Sequence, residues 1–298
     1  MHLSDHEHRF AFPAVLVGSC ALAFGPWLVR LAGVGPVAAG VWRLALALPF
    51  LFVIAALTGQ PVHWPGRKLV VLIAFAASFF AADLAAWHVG IHMTKLGNAT
   101  LFGNVSSFGF AAWGLWLARR WPSPIQAGAL ALAAIGAALL MGSSFELSPR
   151  NFAGDLLCLV AGLLYVGYLI AVQQGRGSLT PMPLLFLSSL FGAVMLLPVS
   201  LAFGERIIPS DWTFVLLLAL GSQVIGQGLL VYGIGHVPPL IVGLALLTQP
   251  AISAFVGYFA YGETLRPLDW IGAIAIGAAL VLVRLPVRGL RTLEEQPS

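Results

Sequence analysis

The chain is a succession of long apolar runs separated by short gaps that collect the charges, prolines and glycines. Cutting at those gaps leaves ten runs: 11–31, 36–58, 68–92, 97–118, 124–143, 152–173, 182–203, 211–234, 239–261 and 267–285. A bilayer core about 30 Å thick needs about 20 helical residues to cross it, so each run predicts one transmembrane helix. The connections, such as GQPVHWPGRK, ARRWPSP, FGERIIPSD and YGETLRP, are too short to hold a soluble domain. Strands are disfavoured because the runs lack the period-two alternation of a membrane barrel.

The runs also repeat. AIGAAL occurs at Ala134–Leu139 and at Ala275–Leu280, in the fifth and tenth runs. At an offset of 143, Gly90 and Ile91 fall on Gly233 and Ile234, Leu101 on Leu244, Ala111 on Ala254, Gly114 on Gly257 and Pro124 on Pro267. The pattern predicts an all-α membrane protein with a first five-helix repeat at 11–143 and a second at 152–285. Short tails, 1–10 and 286–298, flank them. Because five is odd, the halves enter the membrane from opposite sides. They form two inverted repeats around a central cavity, a design that supports alternating access.

Composition agrees with this picture: 59% of residues are apolar and 9% charged, against roughly 25% charged in soluble domains. The net charge of +4 does not suggest nucleic acid, because the basic residues sit in the gaps. With the N-terminus inside, Arg9, Arg67, Lys68, Arg119, Arg120, Arg176, Arg284, Arg288 and Arg291 are cytoplasmic. Arg30, Lys95, Arg150, Arg206 and Arg266 are outside. The excess places both termini in the cytoplasm, and the expected location is the cell membrane, as a multi-pass protein of a bacterial inner membrane. Cys20 and Cys158 lie within apolar runs, with neither a disulfide framework nor a metal spacing. His2, His6 and His8 read as a solvated tail. No metal or cofactor is expected.

Polar residues inside the runs are the candidate chemistry, since a charge at membrane depth faces a cavity or a partner. Asp83 lies deep in the third run with Trp87 at i+4 on the same face. It could take a proton or a substrate ammonium, or pair with Arg43 or neighbouring hydroxyls to hold the half together. His88 is either a site residue or a hydrogen-bonded helix contact. Asn104 is the deepest amide of the fourth run, and Gln223 and Gln227 form a two-amide stripe on the eighth. Gln249 precedes Pro250 in the ninth run, where the proline frees a carbonyl one turn back. Tyr165 and Tyr168 in the sixth could stack on a flat substrate, or serve as packing. Pro26, Pro250 and Glu263 are candidate gate or hinge positions. Gly128, Gly136, Gly272 and Gly277 read as close helix contacts between the fifth and tenth runs, making a dimer of halves or of chains.

DLAAWHVGI around Asp83, NATLFGN at 98–104 and TQPAISAFVGYFAYGETLRPLDWIGAIAIG in the second half resemble the drug/metabolite transporter superfamily, in its ten-helix EamA-type branch. The resemblance covers nearly the whole chain. At the 143 offset Ser107 replaces Pro250 and Arg120 replaces Glu263, so the kink and acidic end of the ninth helix are expected to be missing from the fourth. The resemblance implies a secondary transporter rather than an enzyme, exporting small metabolites. Amino acids, aromatic and neutral, come first, with a multidrug exporter of lipophilic cations as the alternative. Its partners would be an amino-acid-like small molecule and the lipid bilayer. A channel would need a continuous polar stripe, and an intramembrane enzyme a readable nucleophile or metal motif; neither is present in the sequence.

Overall fold

The structure is a computed structural model and describes residues 5–94, 96–119, 121–141, 148–261 and 267–284. Among these, every regular element is helical. The first run is α1 (Asp5–Ala23) and α2 (Gly25–Leu31), and the second α3 (Pro36–Ala45) and α4 (Ala47–Leu57). The third is the unbroken α5 (Arg67–Met93), and the fourth is α6 (Leu96–Gly103) and α7 (Val105–Leu117). Then come α8 (Pro124–Met141), α9 (Pro149–Arg176) and α10 (Pro181–Ala202). The eighth run is α11 (Trp212–Leu218), a π-helical stretch (Ala219–Gln227) and α12 (Gly228–Ile234). The ninth is α13 (Pro239–Leu246) and α14 (Thr248–Tyr261), and the last is α15 (Pro267–Arg284).

Among the described residues seven helical spans are long and apolar enough to cross a membrane: Phe10–Leu31, Pro36–Leu57, Arg67–Met93, Pro149–Arg176, Pro181–Ala202, Trp212–Ile234 and Pro239–Ala260. Their outer faces carry exposed Phe52, Phe75, Phe152, Leu163 and Phe259, as a lipid-facing surface requires. Proline opens α3, α8, α9, α10, α13 and α15, where its missing N–H has no helical acceptor to lose. Asp211 and Ser148 cap the following helices, accepting from Thr213 N at 2.8 Å and Asn151 N at 3.1 Å. The Thr213 N–H holds the exposed Asp211 carboxyl below its usual range.

Four runs break into two α-helices at a single residue. Three of these breaks fall two or three residues ahead of a proline: Phe24 before Pro26, Leu46 before Pro49 and Leu247 before Pro250. There the ring collides with the carbonyl four residues back. The fourth break corrects an expectation. The fourth run lacks the proline, yet it breaks at Asn104. Asn104 Nδ2 donates to Thr100 O at 2.7 Å, and Ser107 Oγ to Asn104 Oδ1 at 3.2 Å. Polar side chains bonding to their own helix do here what proline does at Leu247.

The helices pack in pairs: α5 on α9, α3 on α10, α7 on α13, α8 on α15, and α1 on the π-helical stretch and α12. Small residues set the closeness. A Cβ on Gly136 would stand 2.7 Å from Gly272 O, so α8 and α15 meet backbone to backbone, and they do so within one chain. Gly128 and Gly277 meet nothing within 4 Å. The expectation that they form close contacts is therefore corrected: only one glycine of each helix reaches the other.

Candidate functional site

A cavity of about 60 Å³ lies among the interrupted helices. It has room for a few waters at roughly 10–15 Å³ each, or for a small metabolite that displaces them. Leu22, Ala23 and Pro26 line it from the α1–α2 break, Gly103 and Asn104 from the α6–α7 break, and Gln227 from the end of the π-helical stretch. Gln249 and Ser253 enter from α14, Phe80, Asp83 and Trp87 from α5, Arg43 from α3 and Tyr165 from α9. Irregular backbone is tolerated at membrane depth where it meets protein or a wet cavity, and here the α1–α2 and α6–α7 breaks and the end of the π-helical stretch meet one.

Two opposite charges face this space. Arg43 is 2% and Asp83 7% exposed. The pairing of the two that the sequence allows is not formed. They interact electrostatically, but no ion pair or hydrogen bond joins Asp83 to any described residue. Arg43 instead gives its Nε–H to Gln223 Oε1 at 3.2 Å, and Gln223 Nε2 donates to Ser189 Oγ at 2.9 Å. The guanidinium carbon lies 5.7 Å from the Phe80 ring centre, a cation–π distance. Its two terminal nitrogens have no hydrogen-bond partner among the described residues. Gln227 Nε2 donates to Tyr165 Oη at 2.8 Å, leaving its Oε1 buried and unpaired. The Trp87 indole N–H is buried and unpaired too. It faces Gly103, where a Cβ would stand 3.1 Å from Nε1.

Of the residues singled out from sequence, Asp83, Trp87, Asn104, Tyr165, Gln227, Gln249 and Pro26 line the cavity. Three do not. Gln223 stands behind Arg43, so it and Gln227 are not one stripe: the π-helical turn sends the two amides to different partners. Tyr168 stacks on Phe80 at 4.3 Å and on Tyr165 at 5.5 Å, in the wall behind them. The fully buried His88 meets Pro36 O through Nδ1 at 3.0 Å and ties α5 to the start of α3. Pro250 is buried at the α13–α14 break, and Glu263 lies outside the described residues. Sequence reading missed Arg43 as a site residue, along with Phe80, Ser106 and Ser253. A guanidinium within an apolar run was the available signal for Arg43.

A second polar region lies at the ends of the spans. Glu205 accepts from Val37 N at 3.2 Å, Ala38 N at 2.7 Å and Ser200 Oγ at 3.0 Å, capping α3 from the α10–α11 connection. Beside it Trp42 Nε1 donates to Ile207 O at 2.7 Å. Asp155 accepts from Thr94 Oγ1 at 2.6 Å and Asn98 Nδ2 at 3.3 Å, and Arg30 Nη2 donates to Ile91 O and Thr94 O at 3.0 and 2.9 Å.

Membrane-length helices around a small cavity lined by buried polar side chains define a multi-pass membrane protein. Comparison with known proteins agrees. Residues 152–285 match the EamA-like transporter family. The threonine/homoserine exporter RhtA of Escherichia coli (strain K12) is 25% identical over 262 residues, covering 87% of this chain and 85% of that one. The RhtA of Salmonella typhimurium (strain LT2) is 24% identical over 255 residues, 84% and 83% of the two chains. An uncharacterised transporter of Archaeoglobus fulgidus is 28% identical over 154 residues, 52% of this chain and 54% of its own. One solved crystal structure shares the fold at a TM-score of 0.75 and 14% identity, covering 95% of this chain and 98% of its own. These matches support the resemblance to the drug/metabolite transporter superfamily read from the sequence, with residues 152–285 similar to EamA-like transporters.

Proposed function

We propose that the chain exports small amino-acid-like metabolites by alternating access between two inverted five-helix halves. The observation that carries this reading is the cavity, small and lined by Arg43, Asp83 and several amide and hydroxyl side chains, with two helix breaks at its wall. The exported substrates named for the RhtA relatives, threonine and homoserine, are of that size and polarity. The neutral branch of the amino-acid expectation is favoured over the aromatic one, because Tyr168 is buried in packing and a cavity of this volume leaves little room for an indole. Arg43 beside Asp83 disfavours a dedicated carrier of lipophilic cations, which a buried guanidinium would repel.

Two features support the inverted repeat. Exchanging the halves maps the first helical run onto the sixth, the second onto the seventh, and so on to the fifth and tenth. Under that exchange the second–seventh, fourth–ninth and fifth–tenth contacts map onto themselves, and the third–sixth contact maps onto the first–eighth. The helix breaks at Asn104 and Leu247 also stand at the 143 offset read from the sequence. In this arrangement α6–α7, α8 and α15 cross the membrane as well, both termini are cytoplasmic, and the protein sits in a bacterial inner membrane. Asp83, Trp87, Asn104, Tyr165, Gln227 and Gln249 contact the substrate, and the breaks beside Pro26 and Pro250 are hinges.

Counterflow in proteoliposomes tests the reading. Labelled threonine should accumulate, saturably, in vesicles loaded with unlabelled threonine or homoserine. Non-saturable flux would instead make the protein a channel. Failure of every amino acid to exchange, in protein that melts cooperatively, would overturn the proposal.

A further inference from the structure

We infer that the cavity recognises a hydroxylated α-amino acid as a zwitterion, with Arg43 on its carboxylate, Asp83 on its ammonium, and Trp87 and Gln227 on its hydroxyl. This inference rests on the amino-acid reading above and adds a residue, Arg43, and a chemical subsite to it.

Burying charges is costly unless they are paired. Arg43 and Asp83 are buried in one cavity without being paired to each other. The Gln223–Ser189 chain takes only the Nε edge of Arg43, which fixes the guanidinium plane and leaves its terminal nitrogens for a two-pronged acceptor. A carboxylate matches that fork. Asp83 has free acceptor capacity for an ammonium group. A molecule carrying both charges neutralises both walls at once, which neither a cation nor an anion alone can do.

The third contact follows from two unsatisfied atoms. Trp87 Nε1 can only donate and Gln227 Oε1 can only accept, and both are buried without partners. Both residues line the same cavity. A hydroxyl, which donates and accepts together, satisfies the pair; a methyl in its place leaves both atoms desolvated and unbonded. Gly103 keeps the approach to the indole N–H open, since a Cβ there would stand 3.1 Å from it.

The test is competition against labelled L-threonine in counterflow by the reconstituted full chain. L-Threonine methyl ester lacks the carboxylate, N-acetyl-L-threonine lacks the ammonium, and L-2-aminobutyrate lacks only the hydroxyl. Each should compete about tenfold or more weakly than threonine, as expected where a site's buried polar groups are left unpaired. The variants should then remove each preference selectively. Arg43→Gln should make the ester compete as well as the acid, Asp83→Asn should do the same for the N-acetyl compound, and Trp87→Phe should narrow the gap to aminobutyrate. Threonine exchange with all three analogues competing equally in the wild type would overturn the zwitterion clasp and leave the exporter intact. Absence of exchange with any amino acid, in folded protein, would overturn both. The analogue series is run on the wild type, so it decides for or against the clasp even where a variant fails to fold.

Discussion

The chain places carboxylates in two settings that differ in how they are satisfied. At the ends of the spans the half-buried Glu205 and Asp155 are hydrogen-bonded: two backbone N–H groups and a hydroxyl on the first, a hydroxyl and an amide on the second. In the middle Asp83 has no hydrogen-bond partner among the described residues, although Arg43 shares its cavity. The first arrangement ties helix ends together, and the second leaves acceptor capacity unfilled in the middle of a span.

Either setting can be perturbed alone. Glu205→Ala removes three hydrogen bonds to a charged acceptor and strands two backbone donors at the start of α3, which should cost about 3 kcal/mol of stability. Thermal unfolding in detergent reads this as a clearly lowered midpoint, and an unchanged midpoint would remove the structural half of the contrast. Asp83→Asn should behave oppositely. Threonine exchange falls about a hundredfold through loss of a charge-assisted contact, while the melting midpoint stays the same or rises, because an unpaired buried charge is gone. A midpoint that falls as far as that of Glu205→Ala would mean Asp83 is structural after all.

Smaller effects define the boundary of the site. His88→Ala removes the bond to Pro36 O and opens space beside Gly40, so about 2 kcal/mol of stability should be lost. The ranking of competing analogues should not change, since His88 does not line the cavity. A changed ranking would return His88 to the site. Gly103→Ala should be the mildest. Its Cβ crowds Trp87 Nε1, and the KM for threonine exchange should rise about threefold with an unaltered midpoint. No rise in KM would mean the indole N–H is not used.

Much of this was legible in order along the chain. The described part of each apolar run is largely helical because an apolar surrounding forces the backbone to satisfy its own hydrogen bonds, and the length and apolarity of a run are local properties. Asp83 and Trp87 could be named because an acid with an aromatic at i+4 stands out against an apolar run. Position along one helix does not say which neighbour lies opposite, and the errors arose there. Gln223 and Gln227 share a spacing but not a partner, since a π-helical turn lies between them. Asn104 is recognisable as the deepest amide of its run, but the sequence does not show that it gives one N–H to its own helix and stands at the break that the missing proline was expected to remove.

Composition and period were enough to establish the class of solvent, the helical architecture and the presence of a few costly polar groups within the spans. Which of those groups meet was settled in three dimensions. Seven separate helical runs had to converge before Arg43 and Asp83 could face one space unpaired, and before Trp87 and Gln227 could be left with a donor and an acceptor to offer. Complementarity of that kind is a property of distances between helices, and a one-dimensional pattern does not contain them.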